Sequence, residues 1–170
     1  MISESARATT AEESRFRISD PNSKPRVVKI IALDQPSEGV VQRLARSQWN
    51  QASFLSASAF GSALRQDKNF SMKGWLNDLA GRTKDLVDEI DSADLVVMIA
   101  SAGEDAQAAS IIGEACSLRR ITTTALIMGS ASVSDEALSR TLAQLRPWAL
   151  MLVIANTDEY IDDMLVALRA

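Results

Sequence analysis

Five short apolar runs, at residues 27–33, 52–57, 95–100, 121–128 and 149–155, recur along the chain. None alternates apolar with polar residues as a half-exposed strand would, so each reads as a strand buried on both faces, the pattern of a parallel sheet. The segments between them carry apolar residues at helical spacing: Val40, Val41, Leu44, Ala45 and Gln48; Leu86, Val87 and Ile90; Ala109, Ile112, Gly113 and Cys116; Leu138, Leu142 and Leu145; and finally Ile161, Leu165 and Leu168. Strands alternating with helices demand crossovers that return to the same edge of a sheet. The predicted fold is therefore α/β: a three-layer, doubly wound, mainly parallel sheet of about five strands with helices on both faces, Rossmann-like. One connection, 60–94, is longer than the rest and broken by Gly74 and Gly81. It reads either as a functional or interaction loop or as the carrier of an extra helix under Trp75, Leu76 and Leu79.

With 170 residues, 46% of them hydrophobic, the chain can bury one sizeable core. Residues 1–26 (MISESARATTAEESRFRISDPNSKPR) mix hydroxyl and charged side chains with two prolines and are expected to form a disordered tail, leaving 27–170 as a single domain. They lack the apolar centre of a signal peptide, and no apolar run reaches the ~18 residues of a membrane span. The expected location is the cytoplasm, away from membranes.

Residue types that are missing exclude several chemistries. Histidine is absent, which removes Ser-His-Asp catalysis, imidazole acid/base chemistry and His-ligated metal sites. The lone cysteine, Cys116, allows neither an intramolecular disulfide nor a CxxC pair, and its apolar neighbours place it in packing. A net charge of −4 opposes the counterion release on which nucleic-acid affinity depends, so no nucleic-acid partner is expected. The expectation leans away from an enzyme: no catalytic residue, metal ligand set or cofactor is assigned.

In open α/β sheets ligands bind beyond the carboxyl ends of the strands, where strand order reverses. The residues expected there are Asp34, Ser37 and Gly39 after the first run, Ser101, Gly103 and Asp105 after the third, Ser130 after the fourth and Asn156 after the fifth. These are the candidate ligand-binding residues. A phosphate cradle needs glycines so that backbone N–H groups can reach the anion. Here no turn holds more than one glycine, and "SAGEDAQ" sets Glu104 and Asp105 beside its own. Such acids repel an anion and suit helix N-termini, where each contributes about 0.3–1 kcal/mol. A divalent cation between Asp34 and Glu104 or Asp105 is the functional alternative to that capping role.

The stretch "GRTKDLVDEIDSADLVVMIASAGEDAQAASIIGEACSLRRITTTALIMG" resembles the helix, ADxVF strand, glycine loop, helix and strand of the tubulin/FtsZ nucleotide-binding domain. "LAQLRPWALMLVIANTDEYIDDML" is similar to that family's later strand and helix. The resemblance implies a Rossmann-like domain over most of 27–170. Its glycine-rich first loop corresponds here to "LDQPSEG", keeping Gly39, its signature loop to "SAGEDAQ", keeping Gly103, and Asn156 falls at its asparagine. The central helix and acidic loop that complete a neighbour's hydrolytic site have no counterpart. What the resemblance implies is thus a degenerate, truncated relative, in which GTP hydrolysis and self-polymerisation are not expected.

Two functions follow as expectations. One is a non-catalytic interaction or regulatory module that binds a protein partner or itself, its three tryptophans, Trp49, Trp75 and Trp148, serving either as interface anchors or as core packing. The other is a small-molecule or nucleotide binder, with or without catalysis, working at the carboxyl edge of the sheet.

Overall fold

The computed structural model describes residues 25–66 and 74–170. All five predicted runs are strands: β1 (Val28–Ala32), β2 (Ala52–Ser56), β5 (Leu95–Ser101), β6 (Thr122–Met128) and β7 (Met151–Ala155). They are mutually parallel in the order β2-β1-β5-β6-β7, the 2-1-3-4-5 arrangement of flavodoxin-type doubly wound sheets. The sheet has seven strands rather than about five, because the long connection supplies a hairpin, β3 (Trp75–Asp78) and β4 (Thr83–Asp85), which adds antiparallel to β2.

That hairpin corrects the helix considered under Trp75, Leu76 and Leu79. Trp75 and Leu76 are strand residues, and Leu79 is exposed in the turn. The physical reason is local. Asp78 accepts from the backbone N–H groups of Ala80 and Arg82 at 2.9 Å and from the Arg82 guanidinium at 2.8 Å, which closes a turn where a helix would have to continue. Strands this short are invisible to periodicity. Across the sheet edge, the Trp75 ring meets Phe60 edge-on, with centroids 5.7 Å apart.

Helices cover both faces. On one side lie α1 (Gln35–Leu44) and α6 (Asp158–Ala167), packed through Val41, Leu44, Ile161 and Leu165 onto Val28, Ile30, Val97 and Ile99. On the other lie α2 (Ser58–Gln66), α3 (Leu86–Asp91), α4 (Ala108–Arg119) and α5 (Asp135–Leu145), packed onto Ile31, Val96, Met98 and Ile127. The predicted faces hold except at their margins: Gln48 lies beyond the end of α1 and is exposed, as is Val87. β1 and β5 are central and almost wholly buried. Within β1, Lys29 is 7% exposed and pairs with Glu89 of α3 at 2.8 Å, which stabilises its buried ammonium at the amino end of the sheet, away from the crevice described next. Of the expected tail, residues 1–24 lie outside the described residues.

Candidate functional site

Strand order reverses between β1 and β5, so their carboxyl ends frame the switch point, and Asp34 stands there directly after β1. As the N-cap of α1 it accepts from Ser37 N–H at 2.8 Å, while Ser37 Oγ accepts from Asp34 N–H at 3.2 Å, a reciprocal capping box with Pro36 in the first turn. The same carboxylate accepts from the backbone N–H of Ser101 at 2.7 Å and from its hydroxyl at 2.9 Å. Asp34 is 6% exposed and Ser37 fully buried. One carboxylate therefore ties the end of β1, the start of α1 and the end of β5 together.

The turn from β5 to α4 is where a phosphate cradle would present free amides. Gly103 adopts a positive φ of 86°, a backbone shape suited to such a turn. Yet the amides along it are engaged within the protein. Ser101 N–H goes to Asp34, Ala102 N–H to Met128 O, Gly103 N–H to Thr141 Oγ1 and Glu104 N–H to Ser101 O. Ala106 N–H goes to Gln144 Oε1 at 2.7 Å, and Gln107 N–H to Asp105 Oδ1 at 3.2 Å. Gln144 Nε2 also donates to Asp105 at 2.8 Å, and the Thr141 hydroxyl donates to Glu104 O at 3.0 Å. Two side chains of α5 thus clamp the loop that a nucleotide would need to wrap.

Beside this clamp, Leu33, Asp34, Gln35, Glu38, Ser58, Ser62, Glu104 and Asp105 line part of a crevice of about 370 Å³. Among the described residues no lysine or arginine lines it, and its described charged groups, Asp34, Glu38, Glu104 and Asp105, are all acidic, a lining that opposes a phosphate. Glu38 accepts from the hydroxyls of Ser56 and Ser58, which draws the carboxyl end of β2 into the same site. Among the described residues, no group of three acidic or sulfur side chains is placed to hold a metal ion. The chemistry on offer is hydrogen bonding to hydroxyls or amides.

Of the expected site residues, the structure brings together Asp34, Ser37, Ser101 and Asp105. Gly103 belongs to the adjacent turn, where its backbone is clamped. Gly39 is exposed on α1, Ser130 opens a short 3-10 turn after β6, and Asn156 is exposed after β7; none of these three lines the crevice. Sequence reasoning missed Ser56, Ser58 and Ser62, whose signal was the hydroxyl-rich "SASAFGS" at the carboxyl end of the second run. It also missed Thr141 and Gln144, which carried no signal, because they reach the loop only through the packing of α5. Cys116 is fully buried, and burial pushes its thiol up to about 12 against the pull of Arg119, so at neutral pH it is an inert, space-filling group.

The three tryptophans are all half-buried and packed. Trp49 donates to Leu44 O at 2.7 Å, Trp75 meets Phe60, and Trp148 lies over Gly113, where a Cβ would come within 2.4 Å of its own. No helix among the described residues is long and apolar enough to cross a membrane. Fold and site together define a doubly wound α/β protein with a self-satisfied switch point. No protein-family model matches the sequence, and no curated protein matches it either.

Proposed function

We propose that this protein is a non-catalytic interaction or regulatory module, built on a Rossmann-like scaffold that resembles the tubulin/FtsZ nucleotide-binding domain, with the phosphate site closed by its own side chains. The observation that carries the reading is the fate of the loop amides. The amides of Ser101, Ala102, Gly103, Glu104, Ala106 and Gln107 meet Asp34, Thr141, Gln144, Asp105 and backbone carbonyls, so a phosphate would have to displace partners already in place. Displacing them strands buried groups, each worth about 1–3 kcal/mol. The acids of the crevice add repulsion. The strand-turn-helix order of β5 and α4, with Gly103 at the turn, supports the resemblance at the level of the scaffold.

A second reading has one observation in its favour, the crevice itself: about 370 Å³ lined by serines and carboxylates would suit an uncharged, hydroxyl-bearing small molecule. Thermal-shift measurements with GTP, ATP, NAD and FMN, with and without Mg²⁺, separate the two when run beside nucleosides and simple sugars. A ligand at a hundredfold over its dissociation constant stabilises by about 2.7 kcal/mol, a shift of several degrees. No response to any nucleotide is the expected result. A response to GTP or another phosphate-bearing ligand overturns the closed-loop reading, and a response to nucleosides or sugars alone moves the function to the crevice.

A further inference from the structure

The two edges of the sheet are built differently. At one, β4 is three residues long, carries Lys84 and Asp85, and follows Arg82. Short, charged strands are how proteins keep an edge from pairing. At the other, β7 reads Met-Leu-Val-Ile-Ala and, among the described residues, pairs only with β6. It has neither charge nor proline, and no charged residue lies between Arg146 and Asp158. Leu150 is 82% exposed, Met151 38% and Ile154 41%. Five of the eight large apolar side chains exposed among the described residues fall between positions 150 and 166.

We propose that β7 is the interface with a second copy of this chain, joined antiparallel across a two-fold axis so that the two sheets run on as one. Leu150 N–H donates to Thr123 O in the direction of β6. Backbone groups alternate sides along a strand, so Leu152 and Ile154 also turn toward β6, and Met151, Val153 and Ala155 turn their N–H and C=O groups to the open side. An axis through Val153 then sets Val153 opposite its own copy and Met151 opposite Ala155. All three outward residues exchange hydrogen bonds with outward residues.

Directly opposed residues share a face, so the same register stacks Leu152 against Ile154 of the copy on the α5 side of the sheet. The strand is self-complementary in hydrogen bonding, in apolar character and in the absence of charge, which lets two molecules of net charge −4 meet without opposing like charges. Pairing of β7 with the β4 edge of another copy would set apolar residues against Lys84 and Asp85, and such a head-to-tail contact would not close. The self-pairing closes as a dimer, the commonest symmetry. This inference shares with the proposed function the premise that the molecule works through its surface, but it uses a different part of that surface.

Analytical ultracentrifugation of the full chain at tens of micromolar, followed by amide hydrogen exchange read residue by residue, provides the test. The expected result is a dimer in which the amides of Met151, Val153 and Ala155 are protected along with those of Leu152 and Ile154. The variant Met151→Lys with Ile154→Lys, both at exposed positions, is expected to weaken dimerisation by about a hundredfold or more. It should keep the wild-type circular dichroism and lose protection at Met151, Val153 and Ala155 alone. A monomeric wild type, a dimer whose three outward amides exchange freely, or a folded variant that dimerises unchanged overturns the proposal. A monomer would leave the ligand screen untouched, so the two readings fail separately.

Discussion

Asp34 holds together three segments that are far apart in sequence, and the magnitude of that role can be measured. Replacing it by alanine removes the cap of α1 and strands the N–H groups of Ser37 and Ser101. The lost cap, which includes the Ser37 donor, is worth about 1 kcal/mol and the stranded Ser101 donor about 1–3, so Asp34→Ala should destabilise by roughly 2–4 kcal/mol in urea denaturation. A loss below about 0.5 kcal/mol, the ordinary range for a surface change, would mean that the switch point is held by something else. Asp78 plays the corresponding part in the hairpin turn. The Arg82 backbone N–H, ahead of the guanidinium of the same residue and the Ala80 N–H, holds its carboxyl below the ordinary aspartate value against the opposing effect of desolvation. For a depressed carboxyl the sign is fixed: its contribution to stability is complete above about pH 4, the unfolded value, and is lost as pH falls from there through the lower folded one. Carbon-detected titration should place the Asp78 midpoint below that of an unstructured aspartate. A midpoint at or above it would remove Asp78 from the account of the turn.

Among the elements, α4 shows how a small residue sets the approach of two segments. Gly113 was legible as part of a buried helical face, but nothing in the residue pattern called for glycine in particular. The reason is Trp148, whose Cβ and ring would lie 2.4 and 2.9 Å from any Cβ added at Gly113. Because the near atom is the root of the tryptophan side chain, a rotamer change cannot relieve the clash. Gly113→Ala should gain up to about 1 kcal/mol of helix propensity and lose about 1–3 to overpacking, for a net destabilisation near 1 kcal/mol by urea denaturation. A stabilised variant would show that α4 can shift outward freely. The β3–β4 hairpin makes the complementary point about legibility. Its strands are too short for a period to register, and what forms them is a side-chain-closed turn together with an unfilled edge on β2. The five apolar runs needed no such context to be read as strands, but burial on both faces holds for β1, β5 and β6 and not for β2 and β7, which are only partly covered because they lie toward the margins of the sheet.

At the scale of the whole molecule, one end of the sheet is a tied-off crevice, one edge is charged and short, and the other edge is apolar and, among the described residues, unpaired. These features fit the proposed action through contact, with the described lining of the crevice acidic, most loop amides engaged by the protein's own side chains and carbonyls, and a strand that is paired on one side among the described residues. The sequence by itself determined the class of fold, the five parallel strands, the apolar faces of the helices and the exclusion of histidine and disulfide chemistry. Each of these depends on residue type and on spacing within one element, and local spacing survives in the linear string. It also placed Asp34, Ser37, Ser101 and Asp105 at the carboxyl edge, since that edge follows from where each strand ends. Only the tertiary structure decided that Asp34 reaches Ser101, that Thr141 and Gln144 close the loop, that Glu38 gathers the serines of β2 and that β7 lies at the margin of the sheet. Those outcomes depend on which strands become neighbours and on how closely α5 packs, both set by the core as a whole and carried by no single stretch of residues.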